Sequence, residues 1–413
     1  MENTKINILV IPSDIVGGVG FYRSIQPHMQ LQEQYPDLFH IDIDANPDFN
    51  NLSDFDKYNI IHVHKGLFDD MQSFLNTFDY WKKKGIVTIM DIDDYWDLDK
   101  THPLSFSNKF YKIGDAIKNN IKRFDYVTTT TPIFAEKIKK YNSNAIVFPN
   151  AINPQDKRFI INRQPSSRLR VGLIMGSSHE NDMKLLNGLV NRLPKEIKDK
   201  ILFVLCGYDN RGMAKMINEE TGEVTTRQIK PQETTWHRYE QCITDNYRIC
   251  SERYKDFLLQ CIPNSTYDDI EHEGYKRCWT KDINHYFQHF NEVDVLLVPL
   301  QETEFNSCKS QLKAIECCFS HTAIIASNFG PYKIDLVNAF EKGGTINPNG
   351  NALLVDSKKG VKDWARFITK CVENPDLVKM LQDNIYKDLH EKYDLRNITK
   401  ERMEFYKKIL KLE

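Results

Sequence analysis

No apolar run in this 413-residue chain is long enough to span a bilayer. Its opening, MENTKINILVIPSD, passes into a strand pattern without the basic and then apolar stretch of a signal peptide, so a cytoplasmic location is expected. An excess of charge of one sign is also missing. The 55 Lys and Arg residues nearly balance 57 Asp and Glu, and a net charge of -2 predicts no general attraction to nucleic acid or to an anionic membrane. Close pairs are absent among Cys242, Cys250, Cys261 and Cys278. The nine cysteines are odd in number and scattered, with Cys206, Cys317 and Cys318 in apolar or helical contexts, which fits reduced thiols better than a disulfide framework. Cys242, Cys250, Cys261 and Cys278 lack the spacing of a zinc site, and His285 and His289, although at i, i+4, read as a solvent-facing pair. No metal is expected. Low-complexity tracts are missing as well.

What the chain does contain is length for two domains, with 41% hydrophobic and 27% charged residues, the balance of a soluble globular protein. Short apolar or β-branched runs alternate with helical stretches, as parallel βαβ units require. INILVIP, IDIDA, IIHVHK, GIVTIMDIDD, DYVTTTTP and AIVFPN supply the first sheet, with helices expected at Asp69 to Lys83 and Pro132 to Tyr141. QDKRFIINRQPSSR is polar and irregular, and reads as a linker. A second sheet starts at Leu169 with LRVGLIMGSS, continues with ILFVLCG and resumes at Val293, with helices near Trp364 and from Asn397. The boundaries predicted are 1–165 and 166–395, with a helical insertion over about 208–285 that carries Trp236, Tyr239 and Tyr247.

One stretch, Asp294 to Pro331, concentrates chemistry: a buried strand, a polar loop, a short helix and a second buried strand. Asn306 or Ser307 can cap the helix, and Lys309, Lys313 and Glu316 fall at i, i+4 and i+7 on one face. A helix N-terminus flanked by lysines suits a diphosphate, and a carboxylate further along can accept hydrogen bonds from a ribose diol. A nucleotide diphosphate is the ligand class this implies. The alternative is a solvated helix face with one Lys313–Glu316 pair.

Three further loops follow strands, where open α/β sheets bind ligands. In SDIVGGVGFYRSIQPH, Gly17, Gly18 and Gly20 allow close backbone approach to an anion, and Tyr22 and Arg23 are candidate phosphate or acceptor contacts. In MDIDDYWDLDKTHP, Asp91, Asp93 and Asp94 can orient a hydroxyl, act as a general base, or cap a helix. In GSSHENDMK, Gly176, Ser177 and Ser178 offer backbone and hydroxyl donors beside His179 and Asp182.

The run from Glu316 to Ser327, with the preceding strand and Pro299, resembles the donor-binding half of GT-B glycosyltransferases, especially retaining family four. FNSCKSQLKAIE looks like a phage and bacterial variant of that motif, GVGFYRSIQP is similar to phage-type members, and PNAIN at Pro149 to Asn153 resembles the element closing their first domain. The resemblance implies an α/β GT-B fold of two Rossmann-like domains facing a cleft, with residues 396–413 packing back on the first. It implies a nucleotide diphosphate sugar as donor substrate and no required cofactor. Glu316 would meet the ribose; Lys309, Ser310 and Lys313, with Asn306, Gly176, Ser177, Ser178 and His179, would hold the donor. The first glutamate of the family's motif, which meets the sugar, is replaced by Cys308. Transfer with retention would use the leaving phosphate to help deprotonate the acceptor, whereas inversion would need Asp91, Asp93 or Asp94 as base. The acceptor would be a glycan, protein, small molecule or, for a phage enzyme in its host's cytoplasm, a hydroxymethylated DNA base. A non-catalytic nucleotide-sugar-binding relative is the remaining alternative. Asp91-Ile-Asp93 also matches the D-x-D metal motif of GT-A enzymes, a fold that leaves PNAIN and the second sheet without a role.

Overall fold

The structure, a computed structural model, describes residues 5–412 apart from 210–211, 219, 231–232, 244–273 and 342–343. The apolar runs of the first half form one parallel sheet. Its strands are β1 (Ile6–Ile11), β2 (Phe39–Ile43), β3 (Ile60–His64), β4 (Val87–Ile92), β5 (Tyr126–Thr129) and β6 (Ala145–Val147), in the order β2-β1-β3-β4-β5-β6. Strands β3 and β4 are almost wholly buried, as expected where helices cover both faces of a sheet. The helix Met71–Lys84 shows how the coverage arises. Phe74, Phe78 and Trp81 recur at helical spacing and are buried, Asp70 caps the start by accepting the Ser73 N–H, and Gly85 ends the helix at φ 73°, where a side chain would be strained.

The second half builds another parallel sheet from β7 (Leu169–Ile174), β8 (Ile201–Tyr208), β11 (Tyr275–Trp279), β12 (Val295–Val298), β13 (Ala323–Ser327) and β14 (Leu353–Val355). Its order is β11-β8-β7-β12-β13-β14, which in chain order of these six is the 3-2-1-4-5-6 of the Rossmann fold. The stretch expected to be a helical insertion differs from that reading. Among its described residues it contains an antiparallel hairpin of β9 (Met213–Ile217) and β10 (Val224–Gln228), the helix Thr235–Ile243 and the edge strand β11. The hairpin escapes a periodicity reading because its strands are exposed on both faces and carry no alternation. Tyr247, Cys250 and Cys261 lie outside the described residues.

After the helices Val361–Glu373 and Pro375–Leu389, the chain returns to the first sheet. Ile152 and Asp394 form a parallel bridge, and Asp394 caps the helix Leu395–Ile409. Met403 and Tyr406 of this helix share a core with Ile6, Ile8 and Val10, and the Tyr406 hydroxyl lies 2.8 Å from His28 Nε2. No helix among the described residues is long and apolar enough to cross a membrane.

Candidate functional site

The strand order reverses between β1 and β3 in the first sheet and between β7 and β12 in the second. Loops at such reversals, beyond the carboxyl ends of the strands, form ligand crevices. Here they face one another across a cavity of about 570 Å3. Gly17, Gly18, Tyr22 and Arg23 after β1, and Asp93 and Asp94 after β4, line one side; Gly176, Ser178 and His179 after β7, and Lys309, Ser310, Lys313 and Glu316 after β12, line the other. Asp91 and Asn306 stand buried behind the lining, and Ser177 is exposed.

On the second wall the expected single helix is broken in two. Glu304–Ser307 is capped by Thr303, whose hydroxyl accepts the Asn306 N–H at 3.1 Å, so neither Asn306 nor Ser307 is the cap. Lys309 occupies the break before Leu312–Ser320 and does not share a helix face with Lys313 and Glu316; the fold brings all three to the cavity instead. Lys309 Nζ lies 4.9 Å over the Phe305 ring and has no carboxylate partner among the described residues. The Ser310 hydroxyl accepts the Leu312 N–H at 3.0 Å and the Asn150 amide at 2.8 Å, the latter from the first domain. Lys313 donates to Glu316 Oε2 at 2.7 Å and bonds the Tyr286 hydroxyl. Glu316 is fully buried, and its Oε1 accepts from the Tyr22 hydroxyl at 3.3 Å across the cleft. Burial, then the Glu316 charge, push the Tyr22 phenol well above its ordinary value, so it remains a neutral donor.

Asn306 acts from the inside. Its amide donates to Asp182 Oδ1 at 2.9 Å and to the Gln301 carbonyl at 3.0 Å, and the Gln301 N–H donates to the same Asp182 oxygen at 2.8 Å. The other carboxylate oxygen lies 2.8 Å from His179 Nδ1. Burial, then nearby Lys309, push the His179 imidazole below its ordinary value against the pull of Asp182. In the neutral ring Nδ1 donates to Asp182, and Nε2 is an acceptor with no partner among the described residues.

The first wall corrects three readings. The Asp14 carboxylate accepts the Gly17 N–H and, at 3.3 Å, the Gly20 N–H, so these amides are not free for an external anion. A Cβ on Gly20 would lie 2.0 Å from the Asp14 carbonyl oxygen, which accounts for glycine there by close approach. Arg23, in a π-helical turn, donates to both oxygens of Asp91 at 3.0 and 2.7 Å, and to Phe148 O and Asn150 Oδ1. Its guanidinium is therefore a buried strut, and Asp91, which also accepts from Thr128 at 2.6 Å, is not an available base. Asp93 accepts from His64 and Lys65, both at 3.1 Å. Burial alone would raise its carboxyl, but Lys65 and His64 hold it well below the usual carboxylate range. Asp94 stands 3.6 Å from Lys65.

Two other expectations change. His285 is exposed, but His289 is buried on the cavity wall with neither ring nitrogen hydrogen-bonded, so they are not a solvent-facing pair. Cys308 is buried in the first domain's core, away from the cavity. Asp14 and Tyr286 are site residues that sequence reasoning missed. The D-x-x-G spacing from Asp14 to Gly17 is the one signal that pointed to the first; nothing local marked the second.

No family model matches the chain, and no curated protein matches it in sequence. Solved structures do resemble it. Anabaena Alr3699/HepE, in complex with UDP and glucose, is 10% identical, with a TM-score of 0.61 over 98% of this chain and 99% of that one. The catalytic domain of starch synthase IV from Arabidopsis thaliana, bound to ADP and acarbose, is 10% identical, with a TM-score of 0.56 over 98% of each chain. A trehalose-6-phosphate synthase, OtsA, is 12% identical, with a TM-score of 0.52 over 87% of this chain and 74% of that one. With two six-stranded parallel sheets meeting at a cleft, the chain has the GT-B fold.

Proposed function

We propose that the protein is a glycosyltransferase that moves a hexosyl or pentosyl group from a nucleotide diphosphate sugar to an acceptor hydroxyl. The observation that carries this reading is the cationic corner of the interdomain cavity, where Lys309 has no carboxylate partner among the described residues and stands with Lys313, Ser310 and His179. A diphosphate placed there neutralises charge that the protein leaves open, and its departure is eased by the same groups. HepE holds UDP and glucose in a fold of this kind, which supports the ligand class. Glu316 reaches the ribose diol once the Tyr22 hydroxyl releases Oε1.

Retention is part of the proposal. Of the three carboxylates that could act as base for inversion, Asp91 is locked to Arg23 and Asp93 is stabilised as an anion by Lys65 and His64, which leaves the half-buried Asp94 on the cavity wall; retention requires that Asp94→Asn keep its transfer rate. The leaving phosphate then takes the acceptor's proton on the same face. Closure of the two domains excludes water from the donor.

The test is a thermal-shift screen against UDP, GDP, ADP and their sugar conjugates, with and without EDTA. Stabilisation by one diphosphate series that EDTA does not alter is expected. Stabilisation only with Mg or Mn, or by no nucleotide, would overturn the reading.

A further inference from the structure

The His179–Asp182 pair, taken with the proposed diphosphate site on which this inference rests, has a chemistry of its own. We propose that the diphosphate enters the cleft together with one proton, which His179 takes on Nε2, so that an imidazolium held on Asp182 joins Lys309 and Lys313 as the third cation of the site.

The geometry is that of a ring aimed and anchored in advance. Asp182 is 4% exposed and engages three groups from two loops: His179 Nδ1, the Gln301 N–H and the Asn306 amide. It cannot turn away from the imidazole without losing the other two bonds. The His179 side chain is 25% exposed at the cavity wall, which leaves Nε2 within reach of a ligand. An anchored Nδ1–H and an open Nε2 allow protonation without ring movement.

The charges around the ring set the direction of the effect. Lys309 and Lys313, from the loop and helix after β12, oppose its protonation, and Asp182 on its own turn favours it. Glu180, also on that turn, is paired with Arg238 of the helix Thr235–Ile243; Tyr239 of the same helix donates to the Gly176 carbonyl. Tyr332 lines the cavity beside them, and from the first domain Asp94 lines the far side while His102 packs on Phe305. Without ligand, cations and burial dominate and the ring is neutral at neutral pH. A diphosphate among the lysines reverses the balance and raises the proton affinity of the ring. Affinity then rises as the pH falls through the titration range of the bound form, and levels off below that of the free form. Each unit by which the ligand raises the ring's pKa gives about tenfold in affinity between the two ends of that range.

The experiment is titration calorimetry of the full chain with the glucose conjugates of UDP, GDP, ADP and dTDP at pH 7, in two buffers of different ionisation enthalpy. A diphosphate esterified at both ends has no group that titrates near pH 7, unlike a terminal phosphate, so any proton taken up is the protein's. Net proton uptake by the wild type, and none by His179→Gln, is the expected result. Binding with equal heats in both buffers overturns the proton linkage and leaves the diphosphate site standing. Uptake that persists in His179→Gln assigns the proton to another group and also overturns it. Binding of none of the four probes overturns the proposed function and this inference together. The wild-type comparison needs no variant and stands even if His179→Gln does not fold.

Discussion

On the first wall of the cleft, Arg23 is locked to Asp91 and Lys65 to Asp93 and Asp94, and the Gly17 and Gly20 amides close on Asp14. On the second wall, Lys309 meets no carboxylate among the described residues and His179 leaves one nitrogen open. Both walls place ionic groups at the ends of parallel strands. Where each charge has a partner, the loop is shaped and held; where one is left without, the cost of keeping it from water is offset only when a ligand arrives. The comparison teaches that charge content does not locate a binding surface. The unmatched charge does.

The strongest way to break this contrast is Asp91→Ala, which leaves the Arg23 guanidinium buried and uncompensated and should cost about 3–5 kcal/mol in urea unfolding. A loss under 1 kcal/mol would mean that Arg23 finds water or another partner, and would reopen it as a ligand contact. Asp93→Asn should cost less at pH 7, about 1.5–3 kcal/mol for the charged hydrogen bonds it makes to His64 and Lys65. The folded carboxyl of Asp93 titrates below its unfolded counterpart, so its stabilisation is complete above the unfolded value near pH ~3.9 and is lost as the pH falls through the folded one. Wild type and variant should therefore converge in acid, and a constant gap down to the lowest pH would contradict the pairing.

Lys309→Ala sharpens the contrast from the other side. It should weaken nucleotide diphosphate binding by about tenfold to a hundredfold while leaving the melting temperature nearly unchanged. A large fall in melting temperature with unaltered affinity would make Lys309 a structural group like Arg23. The smallest effect belongs to Tyr22→Phe, which removes the 3.3 Å bond across the cleft and frees Glu316 Oε1. Ribonucleotides should bind up to a few-fold tighter, within the ~0.5–1.5 kcal/mol of one hydrogen bond, and 2',3'-dideoxyribonucleotides should gain nothing. Weaker ribonucleotide binding would place the hydroxyl on the ligand rather than on Glu316.

Much of this molecule is legible along the chain. INILVIP, IIHVHK and LRVGLIMGSS announce buried strands because a strand covered on both faces needs a continuous apolar run, and the polar turn after each marks its ligand end. The cluster Lys309, Ser310, Lys313 and Glu316 was visible for the same local reason, although the helix break that separates Lys309 was not. The hairpin Met213–Gln228 left no periodic trace because it buries neither face.

The sequence by itself determined where the strands lie, which polar loops follow them, and hence which residues can reach a cleft. Those properties depend on neighbours a few positions away, through burial and side-chain period. Only the tertiary structure decided which of the charges are matched: Arg23 meets Asp91 across 68 positions, Tyr22 meets Glu316 across 294, and Asp182 gathers Gln301 and Asn306 from 119 and 124 positions away. A hydrogen bond acts over about 3 Å of space, and sequence separation carries no information about that distance until both sheets are in place.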